Sequence, residues 1–125
     1  MAKPSPDIAN RVAVMRDMAE DAATRGGHFV YVRIPEPLRP FDRGDKYEEP
    51  LAAALAEAGL GEVTGGGQQL GEGDSIVYCG VDVILSDRTR GLALLRHELR
   101  RLGAPVQTVI EEFIPRFREH PLGPA

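Results

Sequence analysis

The feature that most constrains the fold of this chain is the ten-residue run Ile76–Leu85, which has the alternating pattern of a β-strand. Its odd-numbered positions are all apolar: Val77, Cys79, Val81, Val83 and Leu85. Because alternate side chains of a strand point to opposite faces, this set predicts a face that is buried in a core. We therefore expect Ile76–Leu85 to be a central strand, with the rest of the chain arranged around it.

Three other segments have the composition of strands. His28–Ile34 is rich in β-branched and aromatic residues and stops at Pro35. Residues 62–64 form a short strand that the glycines at 65–67 either continue loosely or bulge. Val106–Ile114 alternates and stops at Pro115, which predicts a last strand.

Three segments have helical spacing instead. The first begins after the cap Ser5, carries an apolar stripe, and ends at the glycines 26–27. The second covers residues 47–58 with Pro50 in its first turn, and the prolines before it predict an extended connection through Asp45. The third follows the cap pair Ser86-Asp87. The stripes consist of Ile8, Val12, Met15, Ala19 and Ala22 in the first, Tyr47, Leu51, Ala54, Leu55 and Ala58 in the second, and Leu92, Leu95, Leu99 and Leu102 in the third.

The order of these elements predicts a single α+β domain over residues 1–125. An N-terminal helix (1–27) precedes a βαββαβ core (28–114), and a proline-rich tail (115–125) is expected to lie loosely on the surface. In the split βαβ arrangement, a four-stranded antiparallel sheet is covered by two helices on one face. This arrangement buries every apolar stripe with right-handed crossovers.

Residues 28–114 accordingly resemble the ferredoxin-like superfold. The runs EVTGGG, YCGVDVILSD and GLALLRHELRRLGAP, together with Thr108-Val109-Ile110, are also similar to short bacterial proteins of uncharacterised function. Members of the superfold often act as small dimeric binding or regulatory modules, so the resemblance implies such a role without specifying a ligand.

Composition narrows the classes of partner. The formal net charge is −4, which gives no general attraction to nucleic acid, and the arginines at 96, 100 and 101 are expected to form a solvated helix face. No apolar run is long enough for a membrane helix and no secretory signal opens the chain, so we expect a cytoplasmic protein. The single cysteine, Cys79, is expected to be a buried apolar filler, and the three histidines are too scattered for a metal site.

The glycine-rich stretch Gly65, Gly66, Gly67 and Gln68 is one candidate site. It contains the Gly-Gly-Gln triplet that peptide release factors use, but acidic residues surround it here. Its backbone could hold an anion, although no phosphate-loop motif is present. Glycine flexibility in an edge strand is the better explanation.

The opposite face of the sheet is the stronger candidate surface. It holds the even-numbered residues of 76–85 and the odd-numbered residues of 28–34, and we call it the even-numbered face after the first of these strands. Its aromatic and charged members are Phe29, Tyr31, Arg33, Tyr78 and Asp82, with Arg33 and Asp82 as a possible ion pair. Such an apolar face needs a cover, and the N-terminal helix or a second subunit could supply it.

Two functions follow from this face. The first is a non-enzymatic cytoplasmic interaction module without a cofactor, which contacts itself as a homodimer, or another protein, through the open sheet face or the glycine-rich edge. The alternative is a small enzyme or ligand-binding protein with a polar pocket at Tyr31, Arg33, Tyr78 and Asp82.

Overall fold

The fold is built on a five-stranded antiparallel sheet with the strand order β2–β3–β1–β4–β5. The computed structural model of the chain describes the backbone of residues 6–71, 73 and 75–124, and side chains from residue 10 onward. The strands are β1 (His28–Ile34), β2 (Gly61–Leu70), β3 (Ile76–Leu85), β4 (Val109–Glu112) and β5 (Arg118–Pro121). The α+β class is therefore confirmed, and β3, the strand singled out from its pattern, lies between β2 and β1 inside the sheet.

Strands β1 and β3 pair along the whole of β1, from His28 opposite Leu85 to Ile34 opposite Cys79. This register places the odd-numbered face of β3 with Val30 and Val32 in one core cluster, as the alternation predicts. Val77 is the exception, with 57% of its surface exposed. Because β1 ends opposite Cys79, Val77 lies beyond the last residue of its neighbour.

Two helices cover the core face of the sheet. Helix α3 (Glu49–Ala58) buries Leu51 and Leu55, and α4 (Arg88–Arg101) buries Leu95 and Leu99 in the same cluster. The predicted caps are present: the Asp87 side chain accepts a hydrogen bond from the Arg90 backbone N–H, and Gly59 ends α3 in the left-handed region with φ of 68°. Cys79 is buried here as expected, and burial raises the pKa of its thiol to about 11.

Helix α1 (Pro6–Thr24) lies on the opposite face of the sheet. Ala19 and Ala22 pack in a second cluster with Phe29 and Phe113, and Val12 and Met15 border it. The explanation that the N-terminal helix covers the even-numbered face is therefore confirmed for β1 and β4. The predicted cap Ser5 and the side chain of Ile8 lie outside the described part of the chain.

The connection before α3 is helical, so the prediction of an extended segment through Asp45 was wrong for its second half. Residues Pro40–Arg43 form helix α2, and Gly44–Glu48 form a π-helical turn that leads directly into α3. Tyr47 in this turn is fully buried and its hydroxyl is hydrogen bonded to Glu36. Burial of this ring against the core fixes the turn, which is a tertiary effect that the prolines do not signal.

The tail predicted as loose contains a fifth strand, β5. The strand before it, β4, is shorter than predicted. β5 pairs with β4 from Val109 opposite Pro121 to Glu112 opposite Arg118, and β4 extends only over Val109–Glu112 rather than Val106–Ile114. Leu122, directly after β5, is 2% exposed in the main core. Burial of this leucine stabilises the tail against the core. The proline and charge content of the tail does not indicate this contact.

No helix among the described residues is long and apolar enough to cross a membrane.

Candidate functional site

The predicted surface on the even-numbered face is only partly exposed. Phe29 and Tyr31 are 1% and 3% exposed because α1 packs over them. Arg33, Tyr78 and Asp82 are each partly buried. Phe29 and Tyr31 are therefore almost fully covered in the folded chain, and the exposed part of the face lies on β3 and β2. That the five residues form a contact surface stays a prediction.

A buried ion pair beneath α1 organises the polar part of this face. The Arg11 Nη1 and Nη2 atoms donate to the two carboxylate oxygens of Glu111 at 2.5 Å and 3.0 Å, and the Glu111 side chain is fully buried. The Arg11 guanidinium also lies over the rings of Tyr31 and Tyr78, 5.2 Å and 6.0 Å from their centroids. Arg11 and Glu111 were missed from the sequence because 100 residues separate them.

Arg33 does not pair with Asp82, so that part of the prediction was wrong. Its Nη2 atom donates to Glu119 on β5 at 3.0 Å, and its Nη1 atom lies 3.5 Å from Glu111 on β4. The register places Gly80 opposite Arg33 and Asp82 opposite Tyr31, so the carboxylates on the β4 side of the sheet are the ones that Arg33 reaches. Burial, followed by the nearby Glu48 carboxylate, raises the pKa of Asp82.

Gly80 is required where it stands because the Tyr31 ring lies across it. A Cβ atom at this position would overlap the Tyr31 hydroxyl and ring carbons. Gly67 is directly opposite Gly80 on β2, and a Cβ there would have open space around it. The two paired glycines thus differ in whether they tolerate a side chain.

Replacing Gly80 with alanine is expected to lower the free energy of unfolding by about 1–3 kcal/mol, since a buried ring must move to make room. The matched variant Gly67→Ala should be neutral or stabilise the strand by about 1 kcal/mol at most. Urea denaturation followed by circular dichroism measures both. Equal effects of the two alanines would show that Tyr31 does not lie across Gly80, and the double variant Tyr31→Leu with Gly80→Ala should recover part of the loss.

The glycine-rich stretch of β2 is packed against an ion pair. The Glu48 carboxylate and the Arg43 guanidinium lie against Gly66, so that a Cβ atom would overlap them. Arg43 donates to Glu48 at 2.8 Å and to the Gly67 carbonyl at 3.1 Å. An anion at the predicted Gly65–Gln68 site would meet the Glu48 carboxylate at close range, which disfavours that hypothesis. The register shift in β2 falls at Thr64, just before the glycines.

A groove of about 300 Å³ lies between the C-terminal half of α1 and the strands β2 and β3. Phe29 and Ile84 form part of its apolar lining. Met18 and Asp21 border it on the helix, and Arg25 borders it just after the helix ends. Val14, one helical turn before Met18, is 60% exposed, so apolar surface continues along the helix beyond the groove. The groove therefore lies on the same face as the predicted surface, but Phe29 is the one residue that the two share.

Comparisons of the chain with models of known families, with curated protein sequences and with solved structures found no match. Among the described residues, no three His, Cys, Asp or Glu side chains are grouped in a way that could hold a metal ion.

Proposed function

We propose that this protein is a non-enzymatic cytoplasmic interaction module that pairs with a second copy of itself through the outer edge of β2. The observation that carries the proposal is the contrast between the two edges of the sheet. β2 is ten residues long, contains neither proline nor lysine, and has a run of three glycines. β5, at the other edge, is only four residues long and ends in Pro121.

Exposed strand edges are usually protected, because their unpaired N–H and C=O groups can pair with another strand. Short length and proline protect β5 in this way. On β2 the register shifts at its two ends leave the glycine run regular between them. The Gly67 carbonyl accepts a hydrogen bond from Arg43, and since a carbonyl oxygen has two lone pairs, this bond by itself does not prevent strand pairing.

The side chains of β2 are compatible with self-pairing. In a symmetric antiparallel pair centred on Gly66, within the regular stretch between the two register shifts, Gly65 of one copy would lie opposite Gly67 of the other. The two copies of Glu62, the only charged residue of β2, would be at opposite ends of the interface. No like charges would face each other directly, which favours pairing of identical strands.

The strand order also supports the ferredoxin-like arrangement inferred for residues 28–114. β2–β3–β1–β4 with α3 and α4 on one face is the order of that superfold, and β5 extends it by one strand. Pairing through β2 would continue the same sheet across two subunits.

The alternative, an enzyme or ligand-binding protein with a pocket at Tyr31, Arg33, Tyr78 and Asp82, needs these side chains free to face a ligand. Tyr31 is buried under α1, and Arg33 is engaged by Glu111 and Glu119. Two of the four groups are therefore occupied inside the fold, and we prefer the interaction module.

Replacing Gly67 with lysine is expected to convert the dimer into a monomer. The new side chain has open space in the single chain, whereas in the symmetric pair the two lysines would lie diagonally opposite each other, about 7–8 Å apart, and repel. Light scattering coupled to size exclusion at several concentrations measures the mass. Ala56→Lys, on the exposed surface of α3, adds the same charge away from the edge and should leave the dimer intact.

A monomeric wild-type chain at all concentrations would contradict the proposal, as would a Gly67→Lys variant that stays dimeric. Circular dichroism of each variant shows that a change of mass does not result from unfolding.

A further inference from the structure

A second groove, separate from the β2 edge, runs between α4 and β5 and has a volume of about 460 Å³. Its charged and imidazole side chains come from α4 and β5. Helix α4 contributes Arg88, Arg96, His97 and Arg100, and β5 contributes His120. The apolar residues Leu92 and Ala93 complete much of the lining. None of the described residues that line this groove is acidic.

This groove lies in the basic part of an otherwise acidic chain. Residues 88–125 contain seven arginines and four glutamates, whereas residues 1–87 contain eight basic and fifteen acidic residues. The net charge of −4 therefore hides a strong separation of charge along the sequence. The prediction that the α4 arginines form a simple solvated face did not take this separation into account.

Most of the positive charge in the groove is not neutralised. Arg96 donates to the Pro121 carbonyl at 2.9 Å, and Arg100 donates to the Leu122 carbonyl at 2.7 Å. These acceptors are neutral, so the bonds hold the guanidinium groups in place without cancelling their charge.

The end of the groove near the start of α4 is held by a buried carboxylate. Glu112, 1% exposed, accepts hydrogen bonds from Arg88 at 2.6 Å and 2.8 Å. His120 Nε2 and His28 Nε2 each lie 2.5 Å from the same carboxylate, which can only accept when ionised. Arg88 and His120 are thus fixed where they border the groove.

We propose that the groove between α4 and β5 binds a phosphate-bearing small molecule. Arginine guanidinium groups match the geometry of phosphate oxygens, and two of the three that line this groove, Arg96 and Arg100, bond to neutral carbonyls rather than to a carboxylate. Leu92 and Ala93 offer apolar contact for the rest of such a ligand, and the volume is within the roughly 300–1,000 Å³ of small-molecule sites. This inference does not depend on dimer formation through β2.

The test is isothermal titration calorimetry, in which inorganic pyrophosphate is added to the full chain at low ionic strength and the dissociation constant is measured. We expect saturable binding that Ala93→Glu weakens by about tenfold or more, because the new carboxylate would stand in the groove and repel the anion. Ala93 is exposed on α4, so this change does not disturb the bonds of Arg96 or Arg100. Ala93→Gln has the same shape without the charge, and Arg90→Gln removes an exposed arginine that does not line the groove.

Arg90→Gln should bind pyrophosphate like the wild type, and Ala93→Gln, which adds the same bulk without the charge, should bind it clearly more tightly than Ala93→Glu. Absence of saturable binding up to about 1 mM pyrophosphate, or equal affinity of Ala93→Glu and Ala93→Gln, would overturn the proposal. A parallel titration uses an oligothymidylate of about ten nucleotides. Tighter binding of this strand at equal phosphate concentration, lost in Ala93→Glu, would replace the small-molecule assignment with nucleic acid.

Discussion

Replacing Arg11 with methionine is expected to lower the free energy of unfolding by about 3–5 kcal/mol, since it leaves the buried Glu111 carboxylate without its bidentate partner. Methionine keeps much of the volume of the arginine stem, so the effect comes mainly from the lost charge and hydrogen bonds. Among the residues that the structure describes, Arg33, 3.5 Å from Glu111, is the cation that would remain beside it. Urea denaturation at neutral pH followed by circular dichroism measures the change.

A matched control is available directly after the same helix. Arg25 forms an exposed pair with Asp21 at 3.3 Å, and Arg25→Met should change the free energy of unfolding by about 0.5 kcal/mol or less. Glu111→Leu in the Arg11→Met background removes the isolated carboxylate and should recover a large part of the loss. A loss below about 1 kcal/mol for Arg11→Met would show that the ion pair does not hold α1 on the sheet.

Acidification is expected to destabilise the protein by about 3 kcal/mol through Glu112 alone. Burial by itself would raise the pKa of this carboxyl, but hydrogen bonds from Arg88, His120 and His28 outweigh it and hold the pKa at about 2. Because the folded value lies below the ordinary value of 4.5, this stabilisation is fully present above pH 4.5 and is lost as the pH falls towards 2. Urea denaturation at a series of pH values in this window measures it.

The variant Glu112→Gln cannot ionise, so its free energy of unfolding should fall less steeply over the same pH window. It should also be less stable than the wild type at neutral pH, because an amide loses the charge-assisted bonds. Arg88→Gln should weaken the acid dependence in part, whereas Arg90→Gln, two residues along the helix, should leave it unchanged. An identical pH dependence in the wild type and Glu112→Gln would contradict the role given to Glu112.

Side-chain alternation and helical spacing predict much of the fold. The faces of β1 and β3, the leucine stripe of α4 and the packing of α1 on the sheet all follow from local patterns, because burial of one face is enough to specify them. The π-helical turn at Gly44–Glu48 and strand β5 do not follow from such patterns. Each depends on one buried residue, Tyr47 or Leu122, whose partners lie elsewhere in the chain.

The candidate sites were harder to predict because their chemistry depends on long-range partners. The adjacent residues Glu111 and Glu112 read as polar positions of a strand, yet both are buried, on opposite faces of the sheet. Arg11 binds the first and Arg88 the second, and no spacing rule connects these arginines to β4. The unequal distribution of charge was visible in the sequence. The groove that brings these arginines together is formed only when β5 lies beside α4, and β5 was not predicted.

The positions of the tyrosines offer a way to observe the two layers of the molecule separately. The chain has three tyrosines and no tryptophan, so its aromatic emission comes mainly from tyrosine. Tyr31 is buried between α1 and the sheet, whereas Tyr47 is buried on the other face with α3 and α4. In a Tyr78→Phe background, each remaining ring could be removed in turn. The two fluorescence signals would then show whether α1 detaches before the main core opens, without an added label.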